Sequence, residues 1–426
     1  MNTLSVVIPA LNEEDGIANI IERVLAVREA LREVDVSDLE LIVVDDGSRD
    51  RTAEIVASYR DAVLVQHPVN RGYGAAIKTG FRRAKGNLLA FLDADGTYPP
   101  EYFPELCRPI LEEGADLVIG SRMAGAQSDM PTIRRLGNLV FATLVTLIGN
   151  QRVSDSASGQ RVMRRDALLP LYPLPDGLNF TPVMSTRAIH ENLHIVEVPI
   201  PYAERRGRSK LSVVRDGYRF LSSIVATAMT YNPVRILGAV GACLAVAAVL
   251  VALFAGMFGV GENTTEWPFS RFFAAFVLAA VGVNLFSTGA MFNYLVSLFH
   301  KRRVRQGLFG RPLFRSPLED HFGEMGAASV ALGVFVYGLA VLLELNSSGV
   351  VPAWFAPAVS SILVLSGFQL MTSWLLIKVL AQLSERDARA QDDMGAEQGA
   401  IISIPTVGGQ VSGQPVEGLA VRVQAR

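Results

Sequence analysis

The strongest candidates for chemistry in this 426-residue chain are Asp93 and Asp95, separated by Ala94 at the end of an apolar run, LLAFLD. Such a run predicts a strand, so one carboxylate leaves the sheet at its edge and a second follows two residues later. Two hard oxygen ligands side by side suit Mg²⁺ or Mn²⁺, ions that complete their shell with phosphate oxygens. The implied ligand is a metal-bound diphosphate. Taken alone, the pair fits an acidic turn closing a strand better than a metal site, and its surroundings reverse that order.

The elements that would position it are legible from alternation of short β-branched runs with helical patterns, the sign of βαβ units and a largely parallel sheet. Strands are predicted at 4–8, 41–45, 63–66, 88–93 and 116–120, with helices beginning near Glu13, Arg51, Gly74 and Glu101. In such sheets ligands bind beyond the carboxyl ends of the strands. Three segments fall there in order: VVIPALNEE, VVDDGSRDRT and FLDADGTYPP. Asp46, Gly47 and Ser48 also read as a turn, with Ser48 or Asp50 capping the next helix. The segment NRGYGAAIKTG, with Gly72 and Lys78, lacks the dinucleotide spacing GxGxxG and follows the third strand. It reads either as a glycine-rich helix entry or as part of the site.

With those three motifs in that order, residues 3–215 resemble glycosyltransferase family 2. The resemblance implies an α/β GT-A domain, Rossmann-like with a mostly parallel sheet, that binds a GDP- or UDP-linked nucleotide sugar. It implies that Pro9, Ala10, Asn12 and Glu13 line the base and ribose and that Asp45 contacts one of them. By the same resemblance Asp93, Ala94 and Asp95 hold the donor and its metal, and Gly72 and Lys78 lie beside it. Many members carry DxDxQ; here Thr97 stands in the place of the Gln, so a hydroxyl or a water would complete the metal shell.

Charge density divides the chain. Residues 1–235 hold 56 of the 80 Asp, Glu, Lys and Arg residues, whereas 236–299 and 326–377 together hold four. Four runs are apolar enough to span a bilayer: 236–260, 272–299, 326–345 and 353–377. Basic residues crowd the connection at 300–325, and the one at 261–267 has none. This asymmetry predicts a multi-pass protein of the cytoplasmic membrane with the catalytic domain and both termini inside. The N-terminus carries no signal-peptide pattern, and Cys107 and Cys243 form neither a disulfide framework nor a metal cluster. The expected organisation is a catalytic domain over 1–210, four spans within 234–382 and a disordered tail over 383–426. A net charge of −2 argues against nucleic acid as partner. Homo-oligomerisation through the spans is left open.

Between these halves lie two stretches suited to the membrane interface. Residues 133–149 are amphipathic and too short to span, and 211–233 follow the basic segment RRGRSK. The set resembles polyprenyl-phosphate glycosyltransferases related to dolichyl-phosphate mannose synthase. It implies that the acceptor phosphate is gripped by Arg122, by Arg134 or Arg135, and by Arg205, Arg206, Arg208, Ser209 and Lys210. Arg219 and Arg235 read as membrane-flanking charges. Asp155 is a candidate base or orienting group, or a turn residue. Where relatives have RxxGxSK, Glu204 stands three residues before Gly207, and a Glu expected near FTPVMS is replaced by Thr181 or Pro182. The QxxRW motif of processive synthases is absent. The expected reaction is inverting sugar transfer to a polyprenyl phosphate, assembling glycans or cell envelope. The competing readings are transfer to a hydroxyl lipid such as diacylglycerol and a non-catalytic membrane adaptor or translocation partner.

Overall fold

The computed structural model describes residues 2–123, 130, 132–149, 151–202, 213–258, 269–300, 318–343 and 353–400. Residues 1–374 form one compact unit and 375–426 a second. The chain opens with β1 (Asn2–Ala10), α1 (Ile17–Ala26), α2 (Arg28–Arg32), β2 (Val36–Asp45), α3 (Thr52–Ala57), β3 (Ala62–Gln66), α4 (Tyr73–Arg83) and β4 (Leu88–Phe91). There follow α5 (Phe103–Glu112), β5 (Leu117–Ser121), α6 (Thr132–Ile148), β6 (Arg161–Arg164), α7 (Phe180–His190), β7 (Ile195–Pro199) and α8 (Val213–Met229). The order of the seven strands is β3-β2-β1-β4-β6-β5-β7. β6 runs antiparallel to both β4 and β5; the other pairings are parallel.

The near-continuous apolar runs become strands because helices cover both faces. Leu4, Val6, Val7 and Ile8 of β1 are fully buried. On one face Ile17, Ile20, Val24, Phe103 and Leu106 join the core; on the other, Ile77, Phe81, Phe180 and Met184 do. Each such side chain contributes about 1.5–3 kcal/mol. The register levels the strand ends: Ala10 pairs with Asp45, Asp45 with Gln66, and Val7 with Phe91. Beyond β1 the order turns back through β4, so the crevice of a topological switch point opens between their carboxyl ends.

The differences from expectation have local causes. Helix α1 begins at Ile17 rather than near Glu13, because the backbone N–H groups of Glu13 and Glu14 bond to Thr52 and Asp50, which keeps 11–16 as a loop. Strand β6, RVMR, escaped the sequence reading because its apolar pair is flanked by arginines, one of them fully buried. α7 and β7 also went unread.

Helices α6 and α8 anchor in the second core through Val145, Ile224 and Ala228. Their other sides expose Ile133 (64%), Leu136 (61%) and Tyr218 (74%). Four further helices follow: α9 (Pro233–Phe258), α10 (Phe269–His300), α11 (Phe322–Leu342) and α12 (Phe355–Ala400). Each contains a segment long and apolar enough to cross a membrane. α9 and α10 pack closely where Gly241 and Gly282 face each other. Val234, Ala290, Phe322 and Leu370 gather residues from all four helices into a small cluster. The reading of 383–426 as disordered needs correction in its first part, since α12 reaches Ala400. Ala, Glu, Gln and Arg in ERDARAQDDMGAEQGA propagate a helix already nucleated. Residues 401–426 lie outside the described residues.

Candidate active site

Two adjoining cavities lie at the carboxyl edge of the sheet. The first, of about 380 Å³, is lined by Pro9, Ala10 and Glu13 after β1, Asp46 after β2, Gly72 and Tyr73 at the start of α4, and Asp93 to Asp95 after β4. Its loops brace one another. Asn12 N–H donates to Ser48 Oγ (2.9 Å) while Arg49 N–H donates to Asn12 Oδ1 (2.8 Å). Glu13 N–H donates to Thr52 Oγ1 (2.9 Å), and Glu14 N–H to Asp50 Oδ2 (3.1 Å). Burial alone would raise the Asp50 carboxyl, yet the hydroxyl and N–H of Thr52 hold it below its usual range. Asn12 therefore ties the first two loops together and is not among the residues lining either cavity.

Of the two neighbouring aspartates, Asp46 reaches this cavity and Asp45 does not. Asp45 accepts the N–H of Ser48 (3.1 Å) and shapes the turn. Asp46 accepts the N–H groups of Arg71 (2.9 Å) and Gly72 (2.8 Å) and meets His67 Nδ1 at 2.7 Å. It thereby joins the loop after β2 to the entry of α4. Gly72 has φ +104°, and a Cβ there would lie 2.5 Å from the Asp176 carbonyl oxygen, so only glycine fits. Lys78 is removed from both cavities: its ammonium donates to Leu174 O (2.7 Å) and pairs with Asp176 (2.7 Å), fixing the segment behind Gly72.

Asp93 and Asp95 line both cavities, together with Tyr73 and Leu178. The Tyr73 hydroxyl donates to Asp93 Oδ1 (2.7 Å). Burial first, and then the Asp93 charge, push this phenol far above its ordinary value, so it stays a donor at neutral pH. A Cβ at Gly159 would lie 2.4 Å from Asp93 Oδ2, so a side chain there would displace the carboxylate. Thr97 donates to Asp95 Oδ1 from both its hydroxyl (2.6 Å) and its N–H (3.1 Å), which makes it a clamp on Asp95. Among the described residues no group of three or more His, Cys, Asp or Glu forms a metal cage. Two neighbouring carboxylates at the mouth of a cleft fit a hard cation that keeps phosphate and water ligands.

The second cavity, of about 250 Å³, is lined by Arg122, Tyr98 and Tyr202, by Met130, Ile133, Asn138 and Phe141 at α6, and by Asp216, Gly217 and Phe220 of α8. Its polar anchor is Arg122. The Arg122 guanidinium donates to both oxygens of Asp155, from Nε to Oδ2 (2.7 Å) and from Nη2 to Oδ1 (2.8 Å). It lies 5.6 Å from the ring centres of Tyr98 and Tyr202. Burial would lower its pKa, but Asp155 and the flanking tyrosines raise it above the ordinary value. Asp155 is fully buried and absent from the cavity lining. Burial tends to raise its carboxyl, yet the Arg122 pair holds it below the usual range. Of the roles expected for Asp155, base, orienting group or turn residue, its contacts are those of an orienting group: both oxygens accept from Arg122, and the residue is its counter-ion.

Arg135 is exposed on α6 and lines neither cavity. Arg205, Arg206, Arg208, Ser209 and Lys210, and the side chain of Arg134, lie outside the described residues. Sequence reasoning missed Asp46, His67, Tyr73, Tyr98, Tyr202 and Arg219, the last of which lines the first cavity. It also missed Arg161, fully buried on β6, which donates to Ser158 O (3.0 Å) and Ser156 O (2.7 Å) and is pushed by burial down to about 10. Tyr73 and Tyr98 were within quoted motifs, NRGYG and DGTY, and buried-phenol chemistry next to carboxylates was their available signal. Arg161 and Tyr202 carried none.

Residues 5–170 match the profile described as Glycosyl transferase family 2, and residues 233–391 match one described as Domain of unknown function (DUF8752). The low-salt glycan biosynthesis hexosyltransferase Agl6 of Haloferax volcanii is 34% identical over 68% of this chain and 68% of its own length. The undecaprenyl-phosphate 4-deoxy-4-formamido-L-arabinose transferase of Photorhabdus laumondii is 30% identical over 72% of this chain and 92% of its own. The dolichyl-phosphate hexose transferase of Haloferax volcanii is 32% identical over 52% of this chain and 92% of its own. The switch-point crevice, the aspartate pair at its centre and these likenesses agree: the chain belongs to glycosyltransferase family 2, a GT-A-type α/β domain joined to four apolar helices.

Proposed function

We propose that this protein transfers a sugar from a GDP- or UDP-linked donor to a polyprenyl phosphate at the cytoplasmic face of a membrane, with inversion at the anomeric carbon. The observation that carries the reading is the meeting of the two cavities at Asp93 and Asp95. The loops of the first place Glu13, Asp46 and Asn70 on its wall, whereas α6 and α8 bring Ile133, Phe141 and Phe220, with Asn138 and Asp216, to the second around the partly buried Arg122. That division matches a water-soluble donor and a lipid-linked anion. The names of the relatives, which include transferases of undecaprenyl phosphate and dolichyl phosphate, support the same acceptor class.

In the proposed reaction an acceptor phosphate oxygen forms a bond to the anomeric carbon as the bond to the donor diphosphate breaks. Such a phosphate is ionised at pH 7, with a second pKa of about 6, and therefore needs little help from a general base. This agrees with Asp155 being engaged as a counter-ion. Arg122 binds and orients the acceptor anion, and Asp155 with the two tyrosines keeps its guanidinium aimed. Asp93 and Asp95 would hold Mg²⁺ or Mn²⁺, which supplies charge compensation to the departing diphosphate. Tyr73 and Thr97 fix those carboxylates in place.

Purified protein incubated with a panel of nucleotide sugars, polyprenyl phosphate and Mn²⁺ should yield a polyprenyl-phosphate sugar, read by mass spectrometry. Asp95→Asn should lower its formation at least about a hundredfold, the scale of losing one transition-state charge contact. Full transfer by this variant, or a phosphate-free glycolipid as the product, would refute the reading.

A further inference from the structure

We infer that Arg219, on the interface helix α8, is a diphosphate-binding residue of the donor site, so that a helix seated at the membrane completes a pocket otherwise built by the sheet. The inference rests on the donor reading proposed above. Arg219, exposed on α8, lines the first cavity together with Gly177 and Leu178. The described residues lining that cavity include four carboxylates, Glu13, Asp46, Asp93 and Asp95, and Arg219 is their only Lys or Arg. A donor diphosphate adds further negative charge. A guanidinium offers a planar pair of N–H donors that matches phosphate oxygens and stays charged at all working pH values.

The position of Arg219 is built from both sides. One helical turn further along α8, Ser223 Oγ accepts a hydrogen bond from Asn179 Nδ2 (2.8 Å), which fixes the same face of the helix against the entry of α7. A Cβ at Gly177 would lie 4.0 Å from Arg219 Nη1, so the guanidinium sits directly over that segment. The same segment is held from behind by α4, through Ala75 N–H to Asp176 O (3.1 Å) and Lys78 to Leu174 O (2.7 Å). The charge that flanks a membrane helix in sequence therefore faces the nucleotide pocket in space.

The test uses the full chain in lipid nanodiscs with Mn²⁺, comparing calorimetric binding of UDP and GDP with that of uridine and guanosine. Arg219→Ala should weaken binding of the preferred diphosphate about ten- to a hundredfold, the range of a charged hydrogen bond. It should leave nucleoside affinity unchanged, and Arg219→Lys should recover part of the loss. Arg215→Ala, which removes the same charge from an exposed position of α8, should match the wild type. Equal weakening of nucleoside and diphosphate would assign Arg219 to loop support and overturn the inference. So would wild-type diphosphate affinity in Arg219→Ala. Wild-type protein that binds neither diphosphate would overturn the donor reading, and this inference with it.

Discussion

At the scale of the residue, the pairing of Arg122 with Asp155 carries the clearest consequence. A fully buried carboxylate bonded to a cation through both oxygens is expensive to break from one side, because the remaining charge is left uncompensated. Asp155→Asn should therefore destabilise the protein by about 3 kcal/mol in denaturant unfolding. A catalytic base at this position would give the opposite pattern, with activity lost and stability kept. Because the folded-state pKa of Asp155 is depressed, its contribution is full above the unfolded value of about 3.9 and is lost as pH falls through the lower folded one. In acid titrations the wild type should thus lose stability below about pH 4, and the variant should lose less over that window. Sequence reading found the aspartates at 93 and 95 because their place after an apolar strand is a local fact. It named Asp45 and not Asp46, because which of two adjacent residues comes to line a cavity depends on how the strand ends against its neighbours.

At the scale of the element, the entry of α4 and the segment 174–177 work as one piece. Gly72 and Lys78 were legible as site candidates, but the tertiary contacts give them a different task. They hold the backbone of Leu174 to Asp176, next to Gly177, which lines the first cavity. Lys78→Met removes one charged hydrogen bond and one ion pair, so donor diphosphate affinity should fall about tenfold and the melting temperature by about 2–4 °C. Hydrogen exchange should quicken at Ala75, whose N–H donates to Asp176 O. An unchanged exchange rate there would exclude this bracing role. The register of β1 with β2 and β4 is the other element-level device, since it brings Pro9, Asp46 and Asp93 to one edge from positions more than thirty residues apart.

At the scale of the whole molecule, the charged part of the chain passes into the apolar part at α8, which leads directly to α9. Helices α6 and α8 place Val145, Ile224 and Ala228 in the domain core while leaving Ile133 and Leu136 exposed. Isolated exposed apolar residues are ordinary, but a row of them on a helix packed against α8, which leads into the apolar helices, fits burial in the lipid interface. Leu136→Trp in vesicles containing bromolipid should show fluorescence quenched at least about twofold more than Trp at the exposed soluble-domain position Val69. Equal quenching at the two positions would place α6 in water. The proposed cytoplasmic orientation of the N-terminal half predicts that single cysteines in it are labelled in inverted and not in right-side-out vesicles.

The amino-acid sequence by itself determined the α/β alternation, the three strand-end motifs, the aspartate pair and the four apolar runs. All of these are carried by periodicity or by residues close together in the chain. Only the tertiary structure decided that Asp155 holds Arg122, that Asp46 and Arg219 line the first cavity and that Asn12 and Lys78 brace loops. The physical reason is common to these cases. A charged or polar side chain takes its role from the partner that compensates it, and those partners lie 33 residues away for Arg122 and Asp155 and 96 for Lys78 and Leu174. Separation in sequence hides such pairs, and packing of the sheet, α4 and the interface helices brings them together.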